Sequence, residues 1–202
     1  MFEQMGTIHP LLPPVVGLAA LLVFAVVIDL IVKHVVIRVV RAFAKRSSTT
    51  WDDALVAHNV FGRLVHVVPA LIVFVGTPLI PDIPEGGVQL IRNVAMGYMV
   101  LMLTLALTAM LSAANTIYET TPVAKDRPLK GFVQLVQIVI WIFGGVLIVS
   151  AVLDRSPLLL LSGFGAMTAI LLLVFKDTIL SLVASVQLTA QDMVRVGDWI
   201  EM

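Results

Sequence analysis

Hydrophobic residues fall along this chain in five long runs separated by short polar or turn-rich stretches, and the pattern changes character only near the end. Residues 11–37, 64–80, 94–114, 132–153 and 158–175 carry little charge and are long enough, at ~1.5 Å per residue, to approach or cross a hydrocarbon core of about 30 Å as helices. The last run stops at Lys176 and Asp177. Beyond it, Ile179, Leu180, Leu182, Val183 and Val186 recur at three- and four-residue spacing among Ser181, Ser185, Gln187 and Gln191, which predicts an amphipathic helix over 177–191. Then Val194, Val196 and Ile200 alternate with polar residues around Gly197 and Asp198, the mark of a first strand and turn over 192–202. The expected fold is therefore an all-α membrane region of five spans, a charged kink, an amphipathic helix and the start of a truncated β domain. One strand and one turn cannot bury a core, so this end needs partner strands from further chain or from another molecule.

Composition places the chain firmly in the membrane class. Hydrophobic residues make up 59% of its 202 residues, charged residues only 13%, and mean hydropathy is +1.04, whereas soluble domains carry about 25% charge. Thirteen basic and thirteen acidic residues cancel, so nothing points to nucleic acid or to a polybasic membrane patch. With no cysteine there is no disulfide, thiolate metal site or Cys nucleophile. Residues 1–10 lack Lys and Arg, so the first run reads as a retained span and not a secretory signal.

The connections set an orientation. Arg38, Arg41, Lys45, Arg46 and Arg63 crowd the first loop, and Lys125, Arg127 and Lys130 the third, while the PDIPEGG connection has no base. By the positive-inside rule this puts the N-terminus outside and the C-terminus inside. Thr50 with Asp52 and Asp53 reads as a helix cap and first turn, because adjacent carboxylates on a helix diverge by about 100° and cannot converge on a metal. His9, His34, His58 and His66 share no ligand spacing, and no metal or bound cofactor is implied.

Few spans carry candidate chemistry. Asp29, Lys33 and His34 lie late in the first run, and two readings stand: an intramembrane relay, or an i,i+4 pair of Asp29 with a snorkelling Lys33 near the headgroups. Thr104, Thr108 and Ser112 form a stripe beside Ala106, Ala109 and Ala113, suited to close helix packing or to a pore lining. Gly144 and Gly145 suggest a close contact or a flexible point in the fourth run. In the fifth, Ser162, Gly165, Ala166, Ala169, Leu172, Leu173 and Lys176 share one side at 3.6 residues per turn. That side suits either packing within one subunit or a ring of identical helices whose leucines close a pore by dewetting.

This order, with the VGDWI strand start at 196–200, five spans and WDDAL at 51–55, resembles the small-conductance mechanosensitive channels, most closely the five-span miniconductance type. The resemblance implies a homo-oligomer, heptameric in that family, in the bacterial inner membrane, opened by membrane tension to release ions and small solutes under hypo-osmotic stress. It implies that the fifth helix lines the pore and puts Leu173 at one leucine-seal position and Ala169 at the other, so one ring of the usual seal is missing. Lys176 and Asp177 stand where the family has a glutamine and a hinge glycine. Ser181 replaces an asparagine and Ser185 a second glycine, which reduces hinge flexibility. A Lys176 ring would favour anions, or Lys176 would pair with Asp177 of a neighbour. A secondary transporter or a non-conducting assembly protein is the alternative. An enzyme is not expected, since no Ser-His, paired-carboxylate or His-Glu arrangement lies within the spans.

Overall fold

The computed structural model describes residues 12–44, 50–125 and 128–190. The expected strand over 192–202, with Gly197 and Asp198, lies outside the described residues, as do Lys45, Arg46, Arg127 and the side chains of Thr50 and Asp52. Everything described is helix, turn or short connection, with no strand among the described residues. The helices are α1 (Leu12–Ala44), α2 (Thr50–Ala57), α3 (Val60–Val65), α4 (Val67–Gly76), α5 (Glu85–Glu119), α6 (Lys130–Leu153) and α7 (Pro157–Ala190). Short 3-10 turns follow α4 at Thr77–Leu79 and α5 at Pro122–Lys125. Five stretches, Pro13–Val40, Val60–Leu79, Glu85–Glu119, Lys130–Leu153 and Pro157–Leu188, are long and apolar enough to cross a membrane, which supports a multi-pass transmembrane protein.

The breaks between elements follow from particular residues. Asn59 sits in the left-handed region at φ 54° between α2 and α3, a conformation Asn tolerates better than most residues, and its side chain lies against Gly62. Pro69 lacks the N–H that would bond the Val65 carbonyl, and its ring crowds that carbonyl; the second span accordingly breaks at His66 into α3 and α4. Pro84 closes the PDIP turn, and its carbonyl accepts from Gly87 and Val88 at 2.8 and 3.1 Å, starting α5 at Glu85 instead of in the middle of the apolar run. At the end of α6, Asp154 is left-handed at φ 52°. The Arg155 amide donates to Ser150 and the Asp154 amide to Ala151, the paired bonds of a Schellman cap.

The chain divides into two compact units, Met1–Pro157 and Leu158–Met202. Within the first, α5 is the centre, in contact with α2, α3, α4 and α6. Apart from Asn93, its buried positions are small or hydroxylated: Ala95, Gly97, Thr104, Ala106, Thr108, Ala109 and Ala113. Large apolar side chains such as Leu103, Leu107 and Met110 point outward instead. This is the arrangement expected where lipid is the solvent, because tails are as apolar as leucine and close backbone approach supplies the attraction between helices.

The contacts are correspondingly tight. A Cβ on Gly144 would come within 2.5 Å of Thr104 Oγ1, and one on Gly97 within 2.9 Å of Val152 Cγ2. Gln137 of α6 reaches across to donate to the Thr108 carbonyl at 3.2 Å and to Ser112 Oγ at 2.9 Å. The Thr104–Thr108–Ser112 stripe thus packs α5 against α6, with Thr104 against Gly144 and with Thr108 and Ser112 bonded to Gln137. Gly144 is the close contact of the glycine pair, and Gly145 has open space beside it.

Candidate functional site

Helix α7 carries the residues singled out for a pore. Pro157 pre-sets φ for its first turn, and 34 residues follow without interruption to Ala190. The charged break expected at Lys176 and Asp177 is not a break: helical hydrogen bonding continues through both. Neither residue removes a backbone donor or needs left-handed geometry, each costs the helix well under about 1 kcal/mol, and sharp kinks need Pro, Gly or an inserted group. The apolar positions 179–186 therefore continue the same rod as residues 158–175, and no separate helix begins at 177.

Ser162, Gly165, Ala166, Ala169, Leu172, Leu173 and Lys176 fall within a sector of about 120° on that rod, at 100° per residue. All are exposed, Leu173 at 74% and Leu172 at 64%. Gly165 has nothing within 4 Å of where a Cβ would stand, and the same is true of Gly163. Two of the hydroxyls on α7 bond along the helix itself. Ser162 Oγ donates to the Leu159 carbonyl and Ser185 Oγ to the Ser181 carbonyl, each at 2.9 Å, a common way for hydroxyls to sit in apolar helices. Lys176 and Asp177 form no ion pair with any described residue.

The first unit holds two polar features within its spans. Asp29 of α1 meets His66, at the break between α3 and α4, with Asp29 Oδ1 3.0 Å from His66 Nδ1. Both are partly buried, at 18% and 33% exposure. This corrects the i,i+4 pairing of Asp29 with Lys33, which form no ion pair within the described residues. The imidazole at a helix break reaches the carboxylate directly, whereas a lysine can extend its ammonium away toward water. Sequence inspection missed the partner because the two residues belong to different runs. The one local signal was Pro69, which places a break at His66.

The second feature gathers His58, Arg63, Thr108, Ser112, Gln137 and Trp141 around a cavity of about 310 Å³ between α2, α3, α5 and α6. His58 Nε2 lies 2.9 Å from Thr116 Oγ1, and Arg63 Nη1 donates to the Leu105 carbonyl. A third, wholly different space of about 540 Å³ is an apolar cleft between α1, α4 and α5, lined by residues such as Leu22, Val73, Ile91 and Tyr98. No family model matches the chain, and no solved structure matches it.

Proposed function

We propose that the protein is the membrane part of a homo-oligomeric, tension-gated channel of the bacterial inner membrane, with α7 lining the pore and the C-terminal end inside. One observation carries this reading. Helix α7 bears a sector of small residues, Ser162, Gly165, Ala166 and Ala169, followed by Leu172 and Leu173, all exposed and with open space at Gly165. Such a surface suits identical helices packed about a rotation axis, with leucine side chains closing the centre by dewetting. The order of motifs that resembles the small-conductance mechanosensitive channels supports the same assignment, and heptameric assembly and release of ions and small solutes on hypo-osmotic shock follow from it. Moving a population from 1:99 to 99:1 takes about 5.5 kcal/mol, which tension acting on an expanded open state can supply.

The test is single-channel recording from liposome patches under a suction ramp, with Leu173→Ser beside the parent protein. Tension-dependent current that begins at lower tension in Leu173→Ser is the expected result. Absence of current from both, despite verified insertion and oligomerisation, removes the channel reading.

A second reading has its own observation. The Asp29–His66 pair and the broken second span are the polar pair and discontinuous helix on which proton-coupled secondary transporters are built. Proton uptake by proteoliposomes without applied tension, abolished in Asp29→Asn, would favour it.

A further inference from the structure

We propose that the cavity around Arg63 is a binding site for an anionic phosphate ester, independent of whether the protein is a channel or a transporter. Arg63 begins one turn inside the second span, where a guanidinium ordinarily requires a counter-charge or a route to water. It has no carboxylate partner among the described residues. Of its five N–H donors, one goes to the Leu105 carbonyl, which also accepts from Thr108 Oγ1 at 3.0 Å. The remaining donors are unassigned beside a cavity of about 310 Å³ that no Asp or Glu lines.

The rest of the lining fits the same ligand. Trp141 has an indole N–H, a donor only, and makes no hydrogen bond to any described residue. His58 is held at the rim by Thr116. The Gln137 amide is fixed by its bonds to the Thr108 carbonyl and Ser112 Oγ, so that wall is pre-organised. A cation with a planar fork, an indole donor and no competing acid make a site for a phosphate, which accepts several hydrogen bonds at once. A carboxylate offers fewer acceptors, and a cation would meet Arg63 in like charge.

Depth selects the ester over a small free ion. Ser112 and Gln137 each lie about two turns from the ends of α5 and α6, and Trp141 one turn deeper, so the cavity sits roughly 10 Å inside the helix ends, near the boundary of headgroups and acyl chains. A phospholipid headgroup reaches that depth from the side with its acyl chains in the hydrocarbon, and a soluble phosphate ester reaches it from water with its organic part against the apolar rim. The chemistry recognised is the same for both.

The experiment uses the full chain in detergent with Trp51 and Trp199 replaced by Phe, so that Trp141 alone fluoresces. Dioleoylphosphatidylglycerol, dioleoylglycerol and inorganic phosphate are each titrated, and lipid retention is read by native mass spectrometry. A saturable Trp141 response to phosphatidylglycerol, absent with dioleoylglycerol, weakened roughly tenfold or more in Arg63→Gln and partly kept in Arg63→Lys, establishes a headgroup site. The same dependence on Arg63 with inorganic phosphate but not with the lipid overturns the ester and leaves a small free anion as the ligand. Equal responses to phosphatidylglycerol and dioleoylglycerol, or responses unchanged in a folded Arg63→Gln, overturn the proposal, as does no response to either phosphate probe.

Discussion

Gly144 of α6 and the glycines of α7 stand in opposite environments. Gly144 is pressed against Thr104 so closely that a single methyl group would collide, while Gly163 and Gly165 have nothing within 4 Å. The same residue type, in helices of similar hydropathy, serves a helix–helix interface in the first case and has no neighbour for a side chain in the second. The lesson concerns membrane helices generally. Apolar character does not distinguish a packed helix from an unpacked one when lipid is the solvent; the pattern of small residues and what stands opposite them does.

Substitutions can break or sharpen this contrast. The largest expected effect is that of Gly144→Val, which forces branched carbon into Thr104 and lowers the unfolding free energy of the first unit in micelles by about 2–3 kcal/mol. A variant as stable as the parent would mean that α5 and α6 do not approach as closely as described. Next comes Asp29→Ala. Loss of the partner of His66 costs about 1–2 kcal/mol, less than a fully buried pair because both groups keep some exposure, and His66→Ala in the Asp29→Ala background adds little. Full additivity of the two changes in a double-mutant cycle would show that the pair contributes nothing. The smallest effect has the opposite sign. Gly163→Ala removes a poor helix former from a place with room for a methyl group, raising the helical stability of isolated α7 by up to about 1 kcal/mol, read by circular dichroism. A loss of helicity there would contradict the open surroundings of Gly163.

Much of the helical layout was legible in the sequence because it depends on near-continuous hydrophobic runs, and the five spans appear at the runs 11–37, 64–80, 94–114, 132–153 and 158–175 with altered ends. The ends moved where polar residues are tolerated in helices beyond the hydrocarbon. Gln89, Arg92 and Asn93 belong to the first turns of α5, with Gln89 donating to Asn93 at 3.0 Å and Arg92 stacked over the Phe74 ring at 4.4 Å. A drop in hydropathy was mistaken for a drop in helicity at Lys176 and Asp177 for the same reason. Tertiary partners were less legible. Asp29 and His66 are joined by the register of α1 on the second span, and Arg63 meets Leu105 through the register of α3 on α5; neither register has a local signature. The stripe on α5 was legible as a packing surface because hydroxyl and small residues recur every fourth position, but its partner, Gly144 with Gln137, required the fold.

The unbroken course of α7 sets its mechanics. At ~1.5 Å per residue its 34 residues span about 51 Å, some 20 Å more than a hydrocarbon core, and Lys176 falls about 28 Å from Pro157, close to the far boundary. From Ala166 to Ala190 there is neither glycine nor proline, so this length behaves as a stiff lever, and the compliance of the helix is concentrated at Gly163 and Gly165 near its start. A force applied at the protruding end would act on that pair of glycines with the mechanical advantage of a long arm on a short one.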